Sequence, residues 1–132
     1  MMRSASRRMA GLSLCACAAM VVGCSRSELI EVTGKVTWEG QPVETGEIIF
    51  HPVDASATPA AGRIRGGDFK FLTKPGKKRV DIQAVRKTGK RDPKEGFEIT
   101  ELFISAQYNA ETELEADVSA DGENHFEFAL KK

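Results

Sequence analysis

Cysteine is scarce in this chain of 132 residues, and its three cysteines, Cys15, Cys17 and Cys24, all stand near the start. The rest of the chain has no thiol for a disulfide, so a domain there must be held together by its core alone. Histidine is equally rare, with only His51 and His125. A zinc site needs several clustered ligands, and a catalytic triad needs a base with its orienting group. We therefore predict no catalytic residue, no metal site and no cofactor.

The sequence also lacks an apolar run of the length that crosses a bilayer, which is about 20 residues. The apolar stretch Met9 to Val22 is shorter, and it follows a basic segment with Arg3, Arg7 and Arg8. Charge, apolar run and small residues in this order are typical of a secretory signal peptide. The stretch ends in Val21-Val22-Gly23-Cys24, which resembles the bacterial lipobox, where a lipid is attached to the cysteine and the chain is cut before it.

This pattern predicts a lipoprotein signal peptide over residues 1–23, a lipidated tether over 24–30 that begins at Cys24, and a domain over 31–132. The acyl chains would anchor the protein to a membrane. An ordinary signal peptide with a coincidental cysteine is the alternative, and Arg7-Arg8 matches a twin-arginine signal poorly in its flanking residues. Lipoproteins kept at the inner membrane often carry Asp after the cysteine, whereas this chain has Ser25. We therefore expect the outer membrane, facing the periplasm.

Charge is nearly balanced after the signal. Without the three arginines of the signal, 16 of the 19 basic residues remain against 19 acidic ones, a formal charge of −3. So mild a value gives no indication of nucleic-acid binding, and we expect a monomer whose partners are the membrane and an envelope protein or polysaccharide.

Alternation of apolar and polar residues runs through the predicted domain. A period of two is typical of half-buried strands, and turn residues such as Glu39-Gly40 and Gly66-Gly67 separate the runs. The alternating runs are Glu31–Trp38, Glu47–His51, Asp68–Phe71, Arg79–Ala84, Glu113–Val118 and His125–Leu130, with Ala61–Arg65 as a possible seventh. A helix is conceivable only around Ile99 to Ser105. We predict an all-β fold, an antiparallel Greek-key sandwich of about seven strands.

The run VTGKVTWEGQPVETGEIIFHPV resembles the opening of carboxypeptidase regulatory-like domains, which are transthyretin-like sandwiches. Gly67-Asp68-Phe69-Lys70-Phe71-Leu72 and the later Lys74-Pro75-Gly76 are similar to further motifs of that family, and the tail resembles short bacterial lipoproteins built on it. The resemblance implies a non-catalytic lipoprotein. Two positions depart from it: Lys78 replaces a core tyrosine, and Ser105 replaces a frequent proline. A hydrolase of purine catabolism shares the fold, but its terminal Tyr-Arg-Gly-Ser motif is missing from the end Phe128-Ala129-Leu130-Lys131-Lys132.

Charge is distributed unevenly along the chain. The segment RKTGKRDPK is predicted to be a surface loop because it has little apolar area to bury. Its basic residues are a candidate contact for a polyanion such as lipopolysaccharide or an acidic polysaccharide: Arg86, Lys87, Lys90, Arg91 and Lys94. No basic residue occurs between Glu95 and Leu130, although that stretch is rich in acid. The alternative is that the two segments form weak surface ion pairs.

Two further features have competing interpretations. The acidic row Glu111, Glu113, Glu115 and Asp117 could seat calcium, but a solvated strand face is the favoured interpretation because calcium sites draw their oxygens from folded loops. Trp38 is assigned to the core rather than to a sugar platform. The sequence thus predicts a lipid-anchored structural or interaction module, with a carbohydrate-binding, polyanion-binding or transport-accessory lipoprotein as the alternative.

Overall fold

The computed structural model describes residues 28–54 and 57–132, and in these ranges nine strands account for most of the chain. The predicted signal peptide and Cys24 lie outside the described residues. The strands are β1 Ile30–Trp38, β2 Gln41–Pro42, β3 Thr45–Pro52, β4 Ala60–Arg65, β5 Asp68–Thr73, β6 Gly76–Arg91, β7 Glu98–Leu102, β8 Glu115–Val118 and β9 His125–Leu130. A short 3-10 helix, Ala106–Tyr108, lies between β7 and β8.

Tight turns connect several neighbouring strands. Trp38 pairs with Gln41 across Glu39-Gly40, and Arg65 pairs with Asp68 across Gly66-Gly67. All four turn residues have positive φ, including Glu39 at 49°. Two successive residues of positive φ form the type I′ turn, whose twist suits a two-residue hairpin. The sequence signals at these turns are therefore confirmed.

The strands divide into two layers. The first layer is β9-β1-β5, and the second is β4-β3-β6. Strand β8 pairs with the start of β6, at Gly76 to Arg79, and β7 pairs with its end, at Val85 to Arg91. Only two residue pairs join β4 to β5, so the sheet folds over at this corner. One departure from antiparallel pairing occurs: β9 runs parallel to β1, with Gly34 opposite Phe126.

Apolar side chains of both layers meet in one core. Phe50 in the second layer contacts Phe71 and Phe126 of the first edge-on, at ring-centroid distances of 4.9 and 5.8 Å. Val32 and Val36 on β1 and Ile82 on β6 are fully buried. Edge-to-face pairs are favourable beyond their buried area. The core thus fixes the two layers face to face, and the predicted all-β sandwich is confirmed.

One detail of the prediction was wrong, and one open point is answered. A helix was conceivable but not predicted around Ile99 to Ser105, and strand β7 occupies Glu98–Leu102 there. The predicted loop from Arg86 to Lys94 is largely strand, because β6 continues to Arg91 and pairs with β7. Thr88, Ile99 and Thr100 are β-branched and favour this extended hairpin. Nine strands therefore replace the expected seven.

Lys78 occupies an inward position, the one that a core tyrosine takes in the family that the sequence resembles. Its side chain is only 2% exposed, between Pro52 on β3 and Ala116 on β8. Burial lowers the pKa of the Lys78 ammonium below 10.5, and the nearby charge of Lys74 lowers it further. A lysine in place of a core aromatic residue therefore puts a poorly solvated amine inside the sandwich.

The fold has two distinct ends. At the end named here the tether end, β1 begins and the connections β3–β4, β5–β6 and β8–β9 turn. The opposite end carries the β1–β2 and β4–β5 turns and, beyond them, the β6–β7 hairpin. No helix in the described ranges is long and apolar enough to cross a membrane.

Candidate functional site

The predicted contact residues lie on the β6–β7 hairpin, defined here as residues 85–102. Arg86, Lys87, Lys90 and Arg91 are on β6, and Lys94 is in the connection to β7. All five side chains are exposed. The structure thus places them together on one projecting element.

Two of these cations have acidic partners across the hairpin. Arg86 Nε donates to Glu101 Oε1 at 2.7 Å, and Lys87 Nζ lies 3.2 Å from Glu98 Oε2. Both pairs are at or near the surface, where an ion pair contributes about 0 to 1 kcal/mol. Their effect on the field is larger, because each pair cancels a charge that a polyanion would meet.

The outer part of the hairpin carries the remaining cations. Arg91 donates weakly to the Gly96 carbonyl at 3.4 Å, and no carboxylate of the described residues forms an ion pair with Lys90, Arg91 or Lys94. Asp92 Oδ1 instead accepts the backbone N–H groups of Lys94 and Glu95 and shapes the turn. Residues 90–95 thus carry three basic side chains that form no ion pair with a described residue, beside the carboxylates of Asp92 and Glu95, so the excess of positive charge at the hairpin tip is small.

A groove of about 750 Å³ separates the base of the hairpin from the β1–β2 turn. Trp38 and Phe103 form an aromatic wall, with ring centroids 5.9 Å apart in edge-to-face geometry. The Arg86 guanidinium lies 5.3 Å from the centroid of the Phe103 ring, within the range of a cation–π contact. Trp38 thus serves both the core, as predicted, and the surface of this groove.

A second polar cluster lies on the outer face of β3 and β6. His51 Nε2 and Asp81 Oδ2 are 2.7 Å apart, and Arg79 is 3.8 Å from the same oxygen. Asp81 Oδ1 is buried without a hydrogen-bond partner among the described residues. In those residues no hydroxyl bonds to His51, so the pair provides a base and its orienting group but no nucleophile. It acts as a cross-strand link.

The acidic row is not a single strand face. Only Glu115 and Asp117 belong to β8, where they stand opposite Arg79 and Lys77 of β6. Within the described ranges, no group of three or more His, Cys, Asp or Glu side chains is arranged to hold a metal ion. The row therefore has the form of a charged edge beside basic neighbours.

The ion pairs of Arg86 with Glu101 and of Lys87 with Glu98 are of the kind that the alternative interpretation of the two charged segments describes. Sequence reasoning missed Phe103 and the individual partners, because the segment beyond Gly96 was not recognised as a strand. The sequence did contain part of the pattern, because β-branched residues lie on either side of Gly89 and Gly96. In the structure both glycines adopt φ of 75°. Such a pattern favours a hairpin. The cross-strand partners themselves depend on register, which a bulge between Lys87 and Arg91 shifts.

Comparison with known proteins shows one distant similarity. No protein-family profile and no curated protein matches the chain. A crystal structure of a DUF3823 family protein from Parabacteroides merdae is similar to it at 14% identity, with a TM-score of 0.39 over 80% of this chain. The chain spans 46% of the length of that protein.

Proposed function

We propose that this protein is a lipid-anchored cell-envelope module whose β-sandwich has a non-catalytic structural or interaction role. The observation that carries the proposal is the succession of basic segment, apolar run and lipobox-like Val21-Val22-Gly23-Cys24, followed after a few residues by β1 at Ile30. A short polar segment between an acylated cysteine and a folded domain is what a surface tether requires. The resemblance to carboxypeptidase regulatory-like lipoproteins supports the same role.

The proposed location is the outer membrane, facing the periplasm, and the proposed form is a monomer. Ser25 after the cysteine supports the first point. A core that closes between the two layers, with Phe50 in contact with Phe71 and Phe126, supports a domain that is complete without a partner. The His51–Asp81 pair without a nucleophile beside it is in keeping with a non-catalytic role.

The test is Cys24→Ala in the full chain, expressed in a bacterium with lipoprotein processing. Intact-mass analysis of the parent should give a chain that begins at Cys24 and carries acyl mass, and the variant should lose both. Cys17→Ala is the matched control, because it removes a signal-peptide thiol without touching the lipobox. An unmodified parent, or equal modification of Cys24→Ala, would refute the anchor.

A second candidate function is binding of a carbohydrate or polyanion. It is favoured by the groove in which Trp38 and Phe103 lie beside Arg86 and Lys87, since sugars stack on aromatic rings and anions pair with basic side chains. The hairpin variants described in the Discussion test it separately from lipidation.

A further inference from the structure

Large apolar side chains are exposed where the chain enters the fold. Leu29 is 57% exposed, Leu72 55% and Val53 67%. Single exposed apolar residues are ordinary on protein surfaces, but these three share the tether end. Their common position therefore calls for a specific explanation.

Strand register brings the three positions to one end. Ile30 stands opposite Thr73 and Glu31 opposite Leu72, so Leu29 and Leu72 are close together on the first layer. Val53 directly follows β3 in the second layer, and its N–H donates to the Lys77 carbonyl at 3.2 Å. Packed layers lie about 10 Å apart. Leu72 thus lies on the outer face of the first layer beside Glu31, and Val53 lies at the same end of the second layer.

The position of the lipid anchor indicates which surface would cover Leu29, Val53 and Leu72. Six residue steps separate Cys24 from Ile30, and at up to about 3.5 Å each they reach about 20 Å. An acylated Cys24 would therefore hold the tether end within about one domain radius of the bilayer, and the hairpin far from it. We propose that the tether end rests on the membrane, with Leu29, Val53 and Leu72 in contact with lipid. This inference depends on the anchor proposed above.

Charge does not provide the attraction. Lys74 and Lys77 are exposed at the tether end, but Glu28, Asp121 and Glu123 are exposed there as well. Mixed charges give no net pull toward anionic lipid, so apolar contact is left as the driving interaction. The contact should consequently be insensitive to salt and to the fraction of anionic lipid, unlike polyanion binding at the hairpin.

The orientation also determines what the hairpin can reach. The 16 residues of β6 begin at the tether end and, at about 3.3 Å each, extend about 50 Å. With the tether end on lipid, Lys90, Arg91 and Lys94 point away from the membrane that holds the anchor. Their partner would therefore be a molecule away from that membrane surface and not the headgroups of its lipids.

Fluorescence quenching in the lipidated full-length protein tests the orientation. Pro75→Cys at the tether end and Lys90→Cys on the hairpin each provide a single free thiol after processing, because Cys24 is acylated. Each is labelled with an environment-sensitive dye and reconstituted in phosphatidylcholine vesicles that contain brominated lipid. We expect strong quenching of the label at position 75 and none at position 90, unchanged between low and high salt.

A variant with Leu29→Ser, Val53→Ser and Leu72→Ser should reduce the quenching at position 75 at least twofold while its acylation and circular dichroism stay unchanged. The matched control replaces exposed apolar residues of the hairpin, Phe97→Ser, Ile99→Ser and Leu102→Ser, and should keep the parent value. Equal quenching at the two labels, no quenching at position 75, or full quenching in the tether-end variant would overturn the proposal. Loss of acyl mass from the parent would instead refute the anchor.

Discussion

At the scale of single residues, Lys78 places a charged group at an inward position. Its side chain is largely covered by the sandwich, while its Nζ, which has no hydrogen bond or ion pair among the described residues, is not fully buried. Partial desolvation of a polar group without a hydrogen bond costs at most about 1 kcal/mol at such a site. The resemblance marked Lys78 as standing in place of a core tyrosine, but only the structure could show whether a partner meets it.

Replacing Lys78 with methionine should stabilise the protein by about 1 kcal/mol at pH 7, because a side chain of similar length fills the space without a partly desolvated charge. The pH dependence gives a sharper test. The pKa of Lys78 is lower in the folded state than its ordinary 10.5, so the unfolded chain binds more protons between the two values. Parent stability should therefore rise with pH through that window.

The advantage of Lys78→Met should accordingly shrink as the pH approaches 10.5 and vanish above it. Urea unfolding of both proteins from pH 7 to pH 11 measures the difference, and Lys77→Met, at an exposed neighbouring position, serves as the control. An advantage that does not change with pH would mean that the buried charge is not the cause.

Gly34 is a second residue of interest, because packing around it leaves no space for a side chain. A Cβ at this position would overlap the Phe126 carbonyl oxygen and the Phe69 ring, because β9 and β5 both press against this part of β1. Gly34→Ala should destabilise the domain by at least about 1 to 3 kcal/mol through overpacking. Thermal unfolding should show the loss, while Lys35→Ala, exposed on the next residue, should shift stability by less than about 0.5 kcal/mol.

At the scale of elements, the sequence predicted strands well where burial alternates and poorly where it does not. On β3 and β6 every second residue enters the core, so the period of two is visible. The β6–β7 hairpin leaves the body of the sandwich, and most of its side chains on both faces are exposed. Without a buried face its sequence carries no apolar period, and only cross-strand pairing defines it.

Two variants of the hairpin, with opposite expected effects, test the prediction that its cations bind a polyanion. Lys87→Ser, Lys90→Ser and Arg91→Ser together should weaken binding of an acidic polysaccharide, with polygalacturonate as the probe. Glu98→Gln with Glu101→Gln should strengthen binding, because it frees the charges of Lys87 and Arg86. Both effects should fade between low and physiological salt, where the Debye length falls to about 8 Å.

Binding to immobilised polygalacturonate measures both variants, and each should keep a parent-like unfolding midpoint because its sites are exposed or lie near the surface. Equal binding by the parent and both variants would assign the hairpin cations to solubility alone. Weaker binding by the glutamine variant would show that the ion pairs hold the hairpin in shape rather than mask its charge.

At the scale of the whole molecule, the domain should fold without its lipid. Residues 25–132 expressed without the signal should give a far-ultraviolet circular dichroism spectrum dominated by β structure and one cooperative thermal transition, as small single domains usually do. Cys24→Ala in the mature chain should give the same curve. A helical spectrum, or separate transitions by near- and far-ultraviolet signals, would contradict a single sandwich.

The parallel contact between β1 and β9 has a consequence for the order of events during synthesis. Strand β1 pairs with β2 and β5, which precede the C-terminal half of the chain, but its parallel pairing with β9 must wait for the last strand, since Thr33 pairs with His125. Such distant pairing slows folding. A chain that stops before His125 should consequently remain sensitive to protease, whereas the complete chain becomes resistant. This delay would suit the export proposed above, because β1 cannot complete its strand pairing until the last strand has been made.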